Sequence, residues 1–294
     1  MLATMRNILD RLGKAPLTEQ QRQLVREAAR VNSVGYDHWG LNVDTAERAL
    51  RVTRLLYREW FRVRTFHTER IPPTRIMLVA NHGGQIPLDG MLIVTAMMLD
   101  VDPPRIVRGM VERWLPALPY LSTLFVRCGQ VVGAPENCKQ LLEHDQSIMV
   151  FPEGAKGSGK SWWKRYQLQS FGTGFMRLAI ETNTPIVPVA VIGSDDTYPA
   201  VFTSRRLGKL MGAPYFPITP TFPWLGPLGL VPLPVQIDLR FGEPMHFGGD
   251  ADLPDAAIRH NVQQVKTSLQ HLLDEGLAAR PKLQELGKLS RWRR

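Results

Sequence analysis

Residues 76–90 read IMLVANHGGQIPLDG, and the fold turns on how this stretch is parsed. An apolar run, Ile76–Ala80, leads to His82 in a turn with two glycines and a proline. Asp89 then stands just before a second apolar run, Met91–Leu99. Five apolar residues without polar alternation read as a strand buried on both faces, and the longer run after the turn reads as a helix. Strand, turn and helix in that order are the unit of an α/β sheet, and the carboxyl edge of such a sheet is where chemistry is carried. His82 then lies just outside that edge and Asp89 at the start of the following helix. The carboxylate can simply cap the helix. It can also accept Nδ1–H of His82, fixing the tautomer so that Nε2 is free to take a proton from a hydroxyl.

The pattern continues on either side. Strands are expected at Ile76–Ala80, Arg105–Arg108, Ser147–Phe151, Ile186–Ile192 and Val235–Phe241. Helices are expected at Asp89–Leu99, Glu136–His144, Phe171–Thr182 and Asp255–Asp274. The alternation predicts an α/β protein with a mixed, largely parallel sheet flanked by helices and preceded by an N-terminal helical segment. The chain divides into that segment (1–70), an α/β domain (71–250), and a C-terminal helix with a basic tail (251–294). Within the first part, Ala49, Val52, Leu56, Trp60 and Val63 predict one helix over Thr45–Phe66. Arg51, Arg54, Arg58 and Arg62 form a second stripe on it. Such a helix fits a core with a solvated basic face, or an anionic membrane surface.

One segment breaks the rhythm. Ser204–Pro234 is too dense in proline for a helix or a central strand. It either folds back on the core or forms a lid or membrane-dipping surface. In the second case Arg205, Arg206 and Lys209 suit phosphate headgroups, and Phe222 and Trp224 suit shallow insertion.

Composition bounds the function. The chain has 294 residues, 44% hydrophobic and 21% charged, which is globular. A formal net charge of +9 implies a polyanionic partner, and of the two candidates a membrane surface is preferred. No nucleic-acid-binding module is recognisable, so nucleic acid is not expected as a partner. Two cysteines, Cys128 and Cys138, fit a reducing compartment, although one bridge is possible. The start MLATMRNILDRLGK lacks the apolar core of a signal peptide, and no window reaches about 18 uninterrupted apolar residues. The expected location is therefore peripheral, on the cytoplasmic face of a membrane. The other histidines show no ligand spacing with a carboxylate, so no metal is expected.

Two further motifs bear on chemistry. FPEG, Phe151–Gly154, ends another apolar run and presents Glu153 at the same sheet edge as His82. GAKGSGKS, Gly154–Ser161, matches the P-loop pattern letter for letter and follows a strand. The next residues, WWKRYQLQSFG, make a poor amphipathic helix, so no helix N-terminus is expected to receive phosphates. Lys156, Lys160, Lys164 and Arg165 are then candidates for acidic headgroups or the phosphates of coenzyme A. A G-x-S-x-G elbow is absent from the sequence, which weakens a serine-hydrolase reading.

NHGGQIPLDG, VFPEGAKG and TPIVPVAVIG, in this order, resemble the first, third and fourth blocks of the glycerolipid and lysophospholipid acyltransferase superfamily. The intervening sequence is most similar to its mono- and diacylglycerol acyltransferase-like branch, and the resemblance covers about Ile71–Pro244. It implies transfer of an acyl group from acyl-CoA or acyl carrier protein to a lipid hydroxyl, with no other cofactor. By the same resemblance His82 is the general base, Asp89 orients it, and Glu153 and Gly154 hold the acceptor. Pro185–Pro188 shapes the acyl side, and amides of Gly83 and Gly84 are candidates for the oxyanion. Arg127 is a further candidate for substrate binding. Two departures stand out. Six residues separate His82 from Asp89, where the superfamily usually has four, so the loop must bulge to keep the pair in contact. Gln130–Asn137 lacks the arginine with which many members bind an acceptor phosphate, which points to an acceptor with an uncharged reacting end. A P-loop nucleotide hydrolase, a lipid hydrolase and a non-enzymatic basic membrane-binding protein are the competing classes.

Overall fold

The computed structural model describes residues 17–84, 88–112, 121–210 and 215–280. Helix α1 (Glu19–Ala29) and helix α2 (Val43–Leu55) come first, the latter capped by Asn42, whose side chain accepts the Thr45 amide at 2.9 Å. The helix expected over Thr45–Phe66 is not continuous. It becomes a π-helical turn at Leu56–Trp60, Arg62 takes a left-handed φ of 44°, and the chain leaves as strand β1 (Arg64–Phe66). Tertiary contact overrides the helical period here. Arg64 forks onto Asp238 with two bonds of 2.8 Å, in register with it on the neighbouring strand. The arginine stripe is partly spent inside the fold, Arg58 on Asp100 and Arg62 on the Pro234 carbonyl at 2.8 Å.

The chain continues through β2 (Met77–Ala80), α3 (Leu88–Leu99), β3 (Val107–Val111), α4 (Leu121–Arg127), β4 (Val131–Val132), α5 (Pro135–Glu143) and β5 (Ser147–Val150). Next come α6 (Ala155–Ser158), α7 (Gly174–Glu181), β6 (Ile186–Ile192) and α8 (Ser194–Thr197). Then follow β7 (Phe202–Ser204), α9 (Arg205–Leu210), β8 (Phe216–Ile218), β9 (Asp238–Phe241) and α10 (Asp255–Ala278). Seven strands form one sheet in the order β1-β9-β6-β2-β5-β3-β4. The run β6-β2-β5-β3-β4 is parallel throughout, β9 is antiparallel to β6, and β1 is parallel to β9. The expected strand at Arg105–Arg108 is displaced to Val107–Val111, because the Arg105 amide is held by the Met97 carbonyl at 2.9 Å in the connection. The expected strand from Val235 likewise begins at Asp238, since Val235 closes a turn onto Leu233.

Period two sorts the sheet residues between two cores. Leu78, Ala80, Val187, Val189 and Val191 pack with Tyr57, Phe61, Leu92, Ile93 and Met97 on one face. Met77, Val79, Ile148 and Ile186 pack with α5, α7 and the front of α10 on the other. Helix α3, apolar around nearly its whole circumference, is enclosed, as such a helix must be. The proline-dense segment is not structureless, contrary to expectation. The helix α9 precedes its prolines, and β7 and β8 form a separate antiparallel ladder in which Pro217 opposes Thr203. A two-stranded ladder tolerates proline because both strands are edges. Both cysteines are free thiols.

Candidate active site

The site is built at the carboxyl edge of β2. Asn81 continues the β2–β6 ladder with its side chain, donating to the Val191 carbonyl at 3.0 Å and accepting the Val191 amide at 2.7 Å. This carries the chain one residue beyond the strand before His82 turns away. Asp89, fully buried at the start of α3, accepts from His82 Nδ1 at 2.6 Å and from the Gly83 amide at 3.0 Å through the same Oδ2. Its Oδ1 accepts the Gly90 amide at 2.8 Å. Histidine and aspartate are therefore in contact despite the long spacing. The His82 ring stacks on Phe151 with centroids 4.4 Å apart, which fixes its plane. Burial disfavours the charged imidazole, but Asp89 first, then Glu153 and Glu112, outweigh it, and the His82 pKa is raised above its ordinary 6.5.

Glu153 is a brace of the same turn. One oxygen accepts the His82 amide at 3.0 Å and the other the Gln169 amide at 2.7 Å. On the opposite side Lys160 donates to the His82 carbonyl at 3.2 Å and pairs with Asp195 at 3.2 Å. Asp195 in turn accepts amides of Tyr166, at 3.0 Å, and Gly84. All three amides of His82–Gly84 are thus committed to carboxylates. The N–H groups of Gly83 and Gly84, expected as oxyanion donors, already hold the turn in shape. Gly84 adopts φ +71°, and a Cβ there would come within 2.9 Å of the Ser194 carbonyl.

Beyond His82 opens a cavity of about 1250 Å³, larger than the roughly 300–1,000 Å³ of ordinary small-molecule pockets. Its wall includes His82, Glu112, Phe151, Gly154 and Tyr215, together with apolar side chains of α2, α3 and β3, among them Leu50, Met91, Val94 and Met98. Phe216 and Phe222, in contact at 5.3 Å, wall it from the proline-rich segment. Phe222 therefore faces inward, whereas Trp224 is 74% exposed and Arg206 lies at the surface. Arg205 opens α9.

Arg127, at the end of α4, is exposed and absent from the cavity wall. Arg108 is wholly buried but committed to Asp37 and Gln146. Lys160, a candidate for acidic headgroups or coenzyme A phosphates, is buried against the active-site turn, and Arg165 lies over the Trp162 ring at 3.9 Å. Only Lys156 and Lys164 of that run stand exposed. In the sequence, Asn81 and Asp195 carried no signal beyond being polar residues next to strand ends.

Residues 62–192, which hold the His–Asp turn, FPEG and the strands that carry them, match the Acyltransferase family. The match covers less than half of the chain. The fold of the chain is similar to the crystal structure of PlsC, a 1-acyl-sn-glycerophosphate (LPA) acyltransferase from Thermotoga maritima. The TM-score is 0.51 at 18% identity, over 95% of this chain and 90% of that one. An uncharacterised protein of Mycobacterium leprae is 37% identical over 233 residues, 77% of this chain and 63% of its own length. The chain thus spans less than two thirds of that relative. A "probable 1-acyl-sn-glycerol-3-phosphate acyltransferase" of Mycoplasma pneumoniae is 24% identical over 151 residues, 49% of this chain and 54% of that one.

Proposed function

We propose that the protein is an O-acyltransferase. It moves a fatty acyl group from a thioester, acyl-CoA or acyl carrier protein, to the hydroxyl of a glycerolipid or lysophospholipid. The observation that carries this reading is the His82–Asp89 pair, 2.6 Å apart, with His82 on the wall of a large apolar cavity. Nε2 of His82 takes the proton of the acceptor hydroxyl as that oxygen attacks the thioester carbonyl. The C–S bond then breaks, and the imidazolium returns the proton to the leaving thiolate. Asp89 holds the tautomer and stabilises the imidazolium. Among the described residues no serine or cysteine is hydrogen-bonded to the His82 ring, which favours direct attack by the acceptor over an acyl-enzyme. The acyl chain occupies the apolar arm along α2 and α3.

The charge of the cavity supports an acceptor whose reacting end is uncharged. Glu112 lines the cavity, and the two cations on its described wall, Lys139 and Arg177, are engaged with Glu181 and Asp255. Membrane contact is assigned to the segment around α9 and β8. Phe202, Trp224, Leu225 and Leu228 expose 57–75% of their surface there, beside Arg206 and Lys209. Among the described residues no helix is long and apolar enough to cross a membrane.

Thiol release from acyl-CoA, with and without acceptor, tests the reading. Release that requires monoacylglycerol or a lysolipid supports transfer, and acceptor-independent release means hydrolysis. Lysophosphatidate, the acceptor in the names of the Thermotoga and Mycoplasma relatives, is the second reading. A tenfold higher kcat/KM for it, about 1.4 kcal/mol, replaces the uncharged acceptor.

A further inference from the structure

The GAKGSGKS motif is not absorbed by acyl transfer, and its geometry shows what it does. The lysine of the motif, Lys160, leaves 3% of its side chain exposed, and its partner Asp195 leaves 4%.

The two side chains grip opposite ends of the active-site turn. Lys160 donates to the His82 carbonyl at 3.2 Å, and Asp195, paired with Lys160 at 3.2 Å, accepts the Gly84 amide. Space is equally constrained. A Cβ on Gly83 would come within 2.5 Å of Ser194 Oγ, and one on Gly157 within 2.9 Å of the His82 Cβ and 2.7 Å of the Glu153 Cβ. The small residues of the motif let the backbone of α6 lie against His82, and the lysine then reaches back under the turn.

We propose that Lys160 and Asp195 are positioning residues for His82, a buried ion pair that sets the imidazole on Asp89 in spite of the long His–Asp loop. The inference rests on His82 as the base. The charged and titratable groups around His82 are Asp89, Glu153, Glu112, Lys160 with Asp195, and the cavity-wall Tyr215.

The test reads His82 directly, by NMR titration and tautomer of its ring, beside kcat and KM for acyl transfer. Lys160→Met, Asp195→Asn and the double variant are compared with the wild type. The double variant leaves no uncompensated buried charge and is the one expected to fold normally. Positioning requires the His82 pKa to fall toward 6.5 in both single variants and in the double, because each loosens the contact with Asp89. It also requires kcat to fall about 10–100-fold with little change in the KM of the acyl donor. Lys160→Arg, which keeps the cation, should restore the titration. Opposite shifts in the single variants, upward without the cation and downward without the anion, would mean through-space charge alone and overturn the proposal. An unchanged His82 in a folded double variant overturns it too. If His82 responds as expected but no acceptor is acylated by the wild type, positioning stands and the proposed activity falls.

Discussion

Asp89→Asn is the substitution whose outcome the geometry constrains most. Asp89 Oδ2 receives two donors, His82 Nδ1 at 2.6 Å and the Gly83 amide at 3.0 Å, while Oδ1 receives the Gly90 amide at 2.8 Å. An asparagine has one oxygen and one NH₂ for these three donors. With the NH₂ toward His82, Nδ1 must accept, the proton moves to Nε2, and the base is lost. With the oxygen toward His82, the NH₂ faces the Gly90 amide, a donor against a donor in a buried site. Both orientations also remove the charge that stabilises the imidazolium. The expected loss in kcat is about 10²-fold, or roughly 2.7 kcal/mol of transition-state stabilisation, with the acceptor KM little changed.

The pH profile carries the sign. His82 must be neutral to act, and its pKa is raised above 6.5, so wild-type kcat/KM should fall as pH drops through a value above 6.5. In Asp89→Asn that acidic limb should move down toward 6.5. Steady-state rates from about pH 5 to 9, on protein shown by circular dichroism to be folded, make the measurement. A variant that keeps more than half the wild-type kcat, or whose limb moves upward, refutes the role given to Asp89.

Gly157→Ala should reduce activity and cost about 1–3 kcal/mol of stability in a denaturant melt, since its Cβ would press on both His82 and Glu153. Arg108→Met leaves the buried Asp37 without its cation and should cost about 3–5 kcal/mol, whereas exposed Arg127→Ala should stay within roughly 0.5 kcal/mol and leave turnover unchanged. Trp224→Ser with Leu228→Ser should weaken sedimentation with anionic vesicles, and salt should weaken the wild type as it screens the basic rim. Equal binding to neutral and anionic vesicles would remove the membrane role of that surface.

The sequence by itself determined the strands that are buried on both faces and the turn that joins them to helices. Ile76–Ala80 and Ile186–Ile192 announce themselves because an uninterrupted apolar run needs no partner to be recognised. It also brought forward His82 and Glu153, which follow such runs at strand ends, and Asp89, which stands before the next one. The strands it missed, β1, β4, β7 and β8, have two or three residues each, too few to show a period. Strand β1 in particular exists because Arg64 meets Asp238, 174 positions away, and no local pattern contains that contact. The tertiary structure alone decided the state of the charges. GAKGSGKS reads as a phosphate cradle or a solvated loop until folding buries Lys160 on Asp195 and the His82 carbonyl. The glycine amides read as free donors until Asp89 and Asp195, from separate parts of the chain, claim them. A hydrogen bond between distant residues is fixed by how the sheet stacks its edges, and that is why the chemistry could be glimpsed in the sequence while its bracing could not.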